Sequence, residues 1–220
     1  MSHRALIVYG GWDGHQPKES AAVLRDALST EGFDVRLSDT LDAFNEQSLR
    51  DVRLIVPHWT MGRIAPDQLN AVLAAVESGR CGLAGVHGGM CDAFRETPEW
   101  HFLTGGQWVA HPGNDGTRYR VRISPASHPI TQGVGDFDVA SEQYYMHVDP
   151  AVKVLATTRF PVAGGPHLPN GEVDMPVLWT KLYGRGRVFY SSIGHTPQAV
   201  SAEPHLTLLR RGFRWAAGLL

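Results

Sequence analysis

The chain has 220 residues, 43% of them hydrophobic, enough for one sizeable core and a single domain over 1–220. Twenty Lys and Arg against 22 Asp and Glu give a formal net charge of -2 without a long run of like charge, which argues against nucleic-acid and membrane-surface partners. No stretch reaches the roughly 18 apolar residues of a membrane span, no signal-peptide pattern opens the chain, and the two cysteines follow no zinc or redox spacing, so a soluble, cytoplasmic protein with reduced thiols is expected.

The first half alternates strands and helices. RALIVYG (4–10) is apolar at nearly every position, as strands inside parallel sheets are. KESAAVLRDALSTEG (18–32) places Ala22, Val23, Ala27 and Leu28 near helical spacing and closes on Gly32. FDVRLSD is the second strand and VRLIVPHW (52–59) the third. APDQLNAVLAAVESG (65–79) has Pro66 in its first turn and stops on Gly79. CGLAGVH is the fourth strand. The alternation predicts a parallel α/β sheet with helices on both faces.

The second half changes character. TRYRVRIS (117–124), VKVLATTRF (152–160), PVLWTKLYG (176–184) and RVFYSSIG (187–194) read as strands, with a hairpin turn at YGRGR; together they predict an antiparallel extension. The Pro- and Gly-rich stretch 161–175 reads as a mobile loop. A closing helix in EPHLTLLRRGFRWAAGLL aligns Leu206, Leu209, Phe213 and Ala216.

In open α/β sheets ligands sit beyond the carboxyl ends of the strands. His15 follows the first strand, His58 ends the third, His87 ends the fourth and His195 ends the last core strand, so separate segments bring four imidazoles to one edge. SEQYYMHVD (141–149) adds Glu142, Tyr144, Tyr145 and His147. GVHGGM (85–90) has the small residues of a strand-to-helix nucleophile turn, but it presents His87 where Cys or Ser would stand. A helix dipole behind that turn would keep the imidazole neutral. Cys91, four residues on, has no adjacent general base and reads as a buried thiol. Trp100, Trp108, Trp179 and Trp215 read as core.

Five segments resemble the trehalose-utilisation (ThuA-like) family within the class I glutamine amidotransferase-like fold: GVHGG, WHFLTGGQWVAHP (100–112), SHPITQGV (127–134), SEQYY (141–145) and WTKLYGRGRVFYSSIGHT (179–196). The resemblance implies a flavodoxin-like sheet and the handling of glucosides, including disaccharides oxidised at C3. Where the family often carries Asp-Glu, this chain has Ser141-Glu142. No Glu stands two residues after His195, so the His–Glu pair of a glutaminase is not expected.

The expected activity is acid–base chemistry on a small glucoside or trehalose-type disaccharide, assisted by a divalent metal such as zinc or manganese and using no nucleotide. Glu142 is the expected general base or acid, with His87, His195 and His147 as further catalytic groups. His15, His87 and His195 are the expected metal ligands. Trp12 and Trp59 offer flat faces to sugar rings, and His58, His111, Tyr144 and Tyr145 complete the substrate contacts. A homo-oligomer and a sugar oxidoreductase as functional partner are further expectations. A metal-free acid–base enzyme and a non-catalytic sugar-binding protein are the alternatives.

Overall fold

The computed structural model describes residues 3–160 and 168–220. The elements run β1 (His3–Gly11), α1 (Pro17–Thr30), β2 (Phe33–Ser38), α2 (Glu46–Leu49), β3 (Val52–Thr60), α3 (Pro66–Glu77), β4 (Gly82–Val86) and α4 (Gly88–Cys91). They continue through α5 (Pro98–Thr104), β5 (Gly106–Ala110), β6 (Arg118–Ile123), β7 (Phe137–Ala140), β8 (Tyr145–Val148), β9 (Lys153–Phe160), β10 (Val173–Tyr183), β11 (Gly186–Ser191), α6 (Pro197–Ser201) and α7 (His205–Ala216).

Nine strands form one sheet in the order β2-β1-β3-β4-β11-β10-β9-β6-β7. The first five pair in parallel, and β10, β9, β6 and β7 extend them antiparallel. The class is therefore α/β and flavodoxin-like, with the predicted antiparallel extension. Apolar side chains cover both faces. Ala5, Ile7, Leu54 and Val56 meet α1 and α7 through Leu24, Leu28, Leu209 and Phe213. Leu6, Val8 and Ile55 belong with Val72 and Val76 of α3 and Trp100 of α5 in the other core cluster. Successive residues of a strand point to opposite faces, which is why near-continuous apolar runs suit β1 and β3.

Several elements differ from the sequence reading. The buried positions of α1 are Ser20, Ala21, Leu24, Ala27 and Leu28, so its face is rotated from the one expected. In α7, Leu208 joins Leu209, Phe213 and Ala216 in the core, while Leu206 is half-buried. Residues 173–175 are not loop: Val173, Asp174 and Met175 pair with Phe160, Arg159 and Thr158. Leu168–Asn170 is a short 3-10 turn, and the rest of the expected mobile loop, 161–167, lies outside the described residues. The stretch 141–149 is partly regular, because β8 pairs antiparallel with β5 in a separate two-stranded sheet.

Candidate functional site

β1, β3, β4 and β11 end together, and each delivers a side chain to the same edge. After β1 a turn over Asp13–His15 buries His15. β3 ends on the buried His58 and Thr60. β4 passes into His87, whose backbone has φ 51° and ψ -142°, a conformation few side-chain-bearing residues adopt. The turn is held by His87 N–H donating to Ser191 O at 2.7 Å and by the Tyr190 hydroxyl donating to His87 O at 3.0 Å. The following helix is a single turn, so burial rather than a helix dipole is the stronger influence on His87.

Glu142 lies at the centre of this edge, 4% exposed. Its Oε2 stands 3.1 Å from His87 Nε2, 3.2 Å from His195 Nδ1 and 3.8 Å from His15 Nε2. Its Oε1 faces His111 Nε2 at 3.7 Å. Burial alone would raise the carboxyl; contacts from His15, His195 and His87 outweigh it and hold the group well below the usual carboxylate range. Burial pushes His87 down to about 4 against the pull of Glu142. The Glu142 contact raises His195 above its ordinary value, against the opposing effect of burial.

The tautomer of His87 follows from its neighbours. Nδ1 lies 2.7 Å from the Ser192 carbonyl, which can only accept, so Nδ1 carries the hydrogen. In the neutral ring Nε2 is then a lone pair, and it faces a carboxylate oxygen 3.1 Å away. Two acceptors at that distance need a proton or a metal cation between them. His15 Nδ1 is held by Thr60 Oγ1 at 2.8 Å, leaving Nε2 toward Glu142. His195 Nδ1 is close to Glu142 but lacks hydrogen-bond alignment with it. One ligand atom from each of His15, His87, Glu142 and His195 falls within 4.8 Å of the others. Three imidazoles and one carboxylate, with His15 and His87 held from behind by Thr60 and Ser192, are a donor set that fits zinc, manganese or another divalent ion.

The other expected residues divide. Tyr144 is buried and stacks on His87 with ring centroids 4.0 Å apart. Trp12 is 45% exposed and sits edge-on to His15 at 4.8 Å. Trp59 is half-buried over Gly10. His58 is buried beside His15 and His87; burial first, then those two rings, push it down to about 3, and neither ring nitrogen has a hydrogen-bond partner. His111 joins the cluster from the segment after β5. His147 does not: it is exposed on β8 opposite Gln107. Tyr145 turns instead to Phe160. Cys91 is buried, and desolvation pushes its thiol up strongly, as an inert core thiol requires.

Some contributors were missed. Thr60 directly follows His58 and Trp59, so its place at the strand end was a usable signal. Ser141 accepts from His195 N–H at 3.4 Å. Trp108 is half-buried against the second core cluster rather than inside it, 5.4 Å from the His111 ring, with the Arg95 guanidinium 4.6 Å over its own ring. Ser192 acts through its backbone carbonyl, which no residue type announces.

Fold and site together define an α/β protein of the glutamine amidotransferase-like class whose nucleophile turn presents an imidazole. A glutamine amidotransferase structure aligns with TM-score 0.54 at 17% identity, covering 97% of this chain and 98% of that chain. Closer in shape is a ThuA-like protein from Parabacteroides merdae, with TM-score 0.79 at 19% identity over 99% of this chain and 90% of that one. Another from Bacteroides uniformis gives 0.78 at 20% identity, over 97% and 91%. The chain belongs to the ThuA family, described as trehalose utilisation, whose pattern matches residues 4–216. No curated protein sequence matches it. Among the described residues no helix is long and apolar enough to cross a membrane.

Proposed function

We propose that the protein is an enzyme acting on a small glucoside or trehalose-type disaccharide, including the form oxidised at C3, by acid–base chemistry with a divalent cation. The observation that carries this reading is the enclosure of Glu142 Oε2 by nitrogens of His15, His87 and His195, with the His87 lone pair fixed toward it. Family membership supports the substrate class. The exposed face of Trp12, with Trp59 and Trp108 near the same edge, supports stacking on sugar rings.

His15, His87, His195 and Glu142 would hold the cation, which when bound supplies Lewis-acid polarisation of a substrate oxygen. The opposite side of the carboxylate handles the proton. Oε1 and His111 Nε2 face each other at 3.7 Å, and the His111 side chain is 30% exposed, open to a substrate. In the ketone-bearing substrate the carbon-bound proton next to the carbonyl is acidic; this pair removes it, a C=C bond conjugated with the ketone forms as the glycosidic C–O bond breaks, and the proton is delivered to the departing oxygen. Tyr144 and Thr60 position the rings of His87 and His15. A sugar oxidoreductase would supply a ketone-bearing substrate.

The metal-free reading has one observation in its favour: a protonated His195, raised by Glu142, balances the carboxylate's charge by itself. The deciding experiment is metal analysis of protein purified without a histidine tag, with assays on 3-keto-glucosides with and without chelator. The expected result is one divalent ion per chain and activity lost to chelator and restored by zinc or manganese. Activity indifferent to chelator selects the metal-free enzyme, and sugar binding without turnover selects an accessory protein. Glu142→Gln should keep the fold and lose turnover by on the order of a hundredfold; full turnover in that variant rejects the role given to Glu142.

A further inference from the structure

The opposite edge of the sheet carries a second concentration of charge. Arg53 at the start of β3, Arg80 before β4, and Arg185 and Arg187 around the β10–β11 turn line one cavity of about 210 Å³. Arg53 and Arg80 also line an adjoining concavity that Arg50 enters. Among the described residues none of these five arginines forms an ion pair with an acidic side chain; Asp51, beside them, pairs with Arg4. In a chain of net charge -2 this is a marked segregation of positive charge.

Part of the cluster has a structural task. Arg53 Nε donates to Ala217 O at 2.6 Å, and Arg187 donates to Trp215 O and Leu220 O at 3.2 Å each, so both satisfy carbonyls at the end of α7. A guanidinium has five N–H donors, and those bonds leave several unused. Arg80 and Arg185 are exposed and have no such carbonyl to serve. Guanidinium groups converging on a cavity whose own lining has no carboxylate side chain match the planar, forked recognition of a phosphoryl group.

We propose that this cavity binds a small phosphorylated anion, at a site separate from the histidine cluster. β4 spans the interval between them, five residues or roughly 17 Å of extended chain. A small ligand fits better than a nucleic-acid strand. The basic surface is one small half-open cavity with a shallower hollow beside it, and the flanking surface carries Asp34, Asp51 and Glu77, which would repel a longer polyanion.

Inorganic phosphate and glucose 6-phosphate are titrated calorimetrically into the full chain, against sodium chloride of matched ionic strength and after chelator treatment. The proposal expects saturable one-to-one binding of either probe. It expects about tenfold weaker binding in Arg80→Ala and in Arg185→Ala, additive losses in the double variant, and no change in Arg25→Ala. Tighter binding of glucose 6-phosphate than of phosphate identifies a phosphate ester as the ligand; equal binding identifies the free ion. Heats no larger than those of chloride, affinity unaltered in the double variant, or loss of binding in His87→Ala instead, would overturn it. So would a single-stranded oligonucleotide binding far more tightly than either small anion.

Discussion

A Cβ added to Gly88 would stand 2.6 Å from Cε1 of His15 and 2.9 Å from its Nδ1. The residue after His87 is therefore small because an imidazole from the turn after β1 fills its side-chain space. Gly88→Ala should push His15 out of line, destabilising the fold by about 1–3 kcal/mol as overpacking does. It should also weaken zinc or manganese binding at least tenfold. Gly135, with nothing within 4 Å of a built Cβ, provides the control. Calorimetric metal titration of Gly88→Ala and Gly135→Ala checks this; equal affinities would show that the close contact does not govern the site.

Thr60 holds His15 from behind, with Oγ1 at 2.8 Å from Nδ1. Thr60→Val keeps the volume and removes the hydroxyl, so the ring loses its orienting bond while packing persists. Metal affinity should fall about 10–100-fold, the usual consequence of losing a partner behind a ligand. Thr60→Ser should restore most of it. Competition with a chromogenic chelator reads both variants, and a Thr60→Val protein with wild-type affinity would mean that His15 is oriented by packing alone.

These two residues show where the sequence was readable. The strand ends were legible because parallel strands are apolar throughout, so the first polar residue after each run marks the edge; His58, His87 and His195 were found that way. Glu142 and Tyr144 came from the family resemblance and their neighbourhood in the chain. His147 shared that neighbourhood but lies on the exposed part of β8, and β8 could not be read because four residues carry too little alternation. Trp108 looked like core for the same reason: β5 is a short strand of a small separate sheet, half-buried at that position. The face of α1 slipped because Ala21 and Ala22 are equally apolar, and only packing decides which one enters the core.

His205 gives a pH dependence independent of the candidate site. It is buried between Ser191 Oγ, 2.9 Å from Nε2, and Ala199 O, 3.0 Å from Nδ1. Burial pushes it from 6.5 down to about 4. Between these values the unfolded chain takes up a proton that the folded chain refuses. The stability associated with neutral His205 is thus complete above pH 6.5 and lost as pH falls toward 4, amounting to roughly 3 kcal/mol. Urea unfolding at pH 7.5 and 4.5 should show a larger acid-side loss in the wild type than in His205→Gln, by about 2–3 kcal/mol. Equal losses would assign the acid sensitivity to other groups.

His87→Cys puts the residue type of an amidotransferase at the turn, and glutamine hydrolysis should still be absent. The absence of Glu two residues after His195 suggested a base without an orienting carboxylate. In the structure Glu142 Oε2 stands 3.2 Å from His195 Nδ1 but out of hydrogen-bond alignment, so proximity alone does not orient that base. What disfavours the thiolate is the same carboxylate seen from position 87: Oε2 is 3.1 Å from the present Nε2, and the position is 1% exposed. Burial and a neighbouring negative charge both raise a thiol, so Cys at this position should react with iodoacetamide only above the ordinary thiol range near 8.5. A nucleophile kept protonated cannot form the acyl-enzyme of a glutaminase. The same substitution removes one imidazole, so metal binding and turnover of glucosides should fall with the fold intact by circular dichroism. A rapidly alkylated thiol at pH 7, or measurable glutamine hydrolysis, would mean that Glu142 is drawn away by His195 and does not hold the thiol protonated.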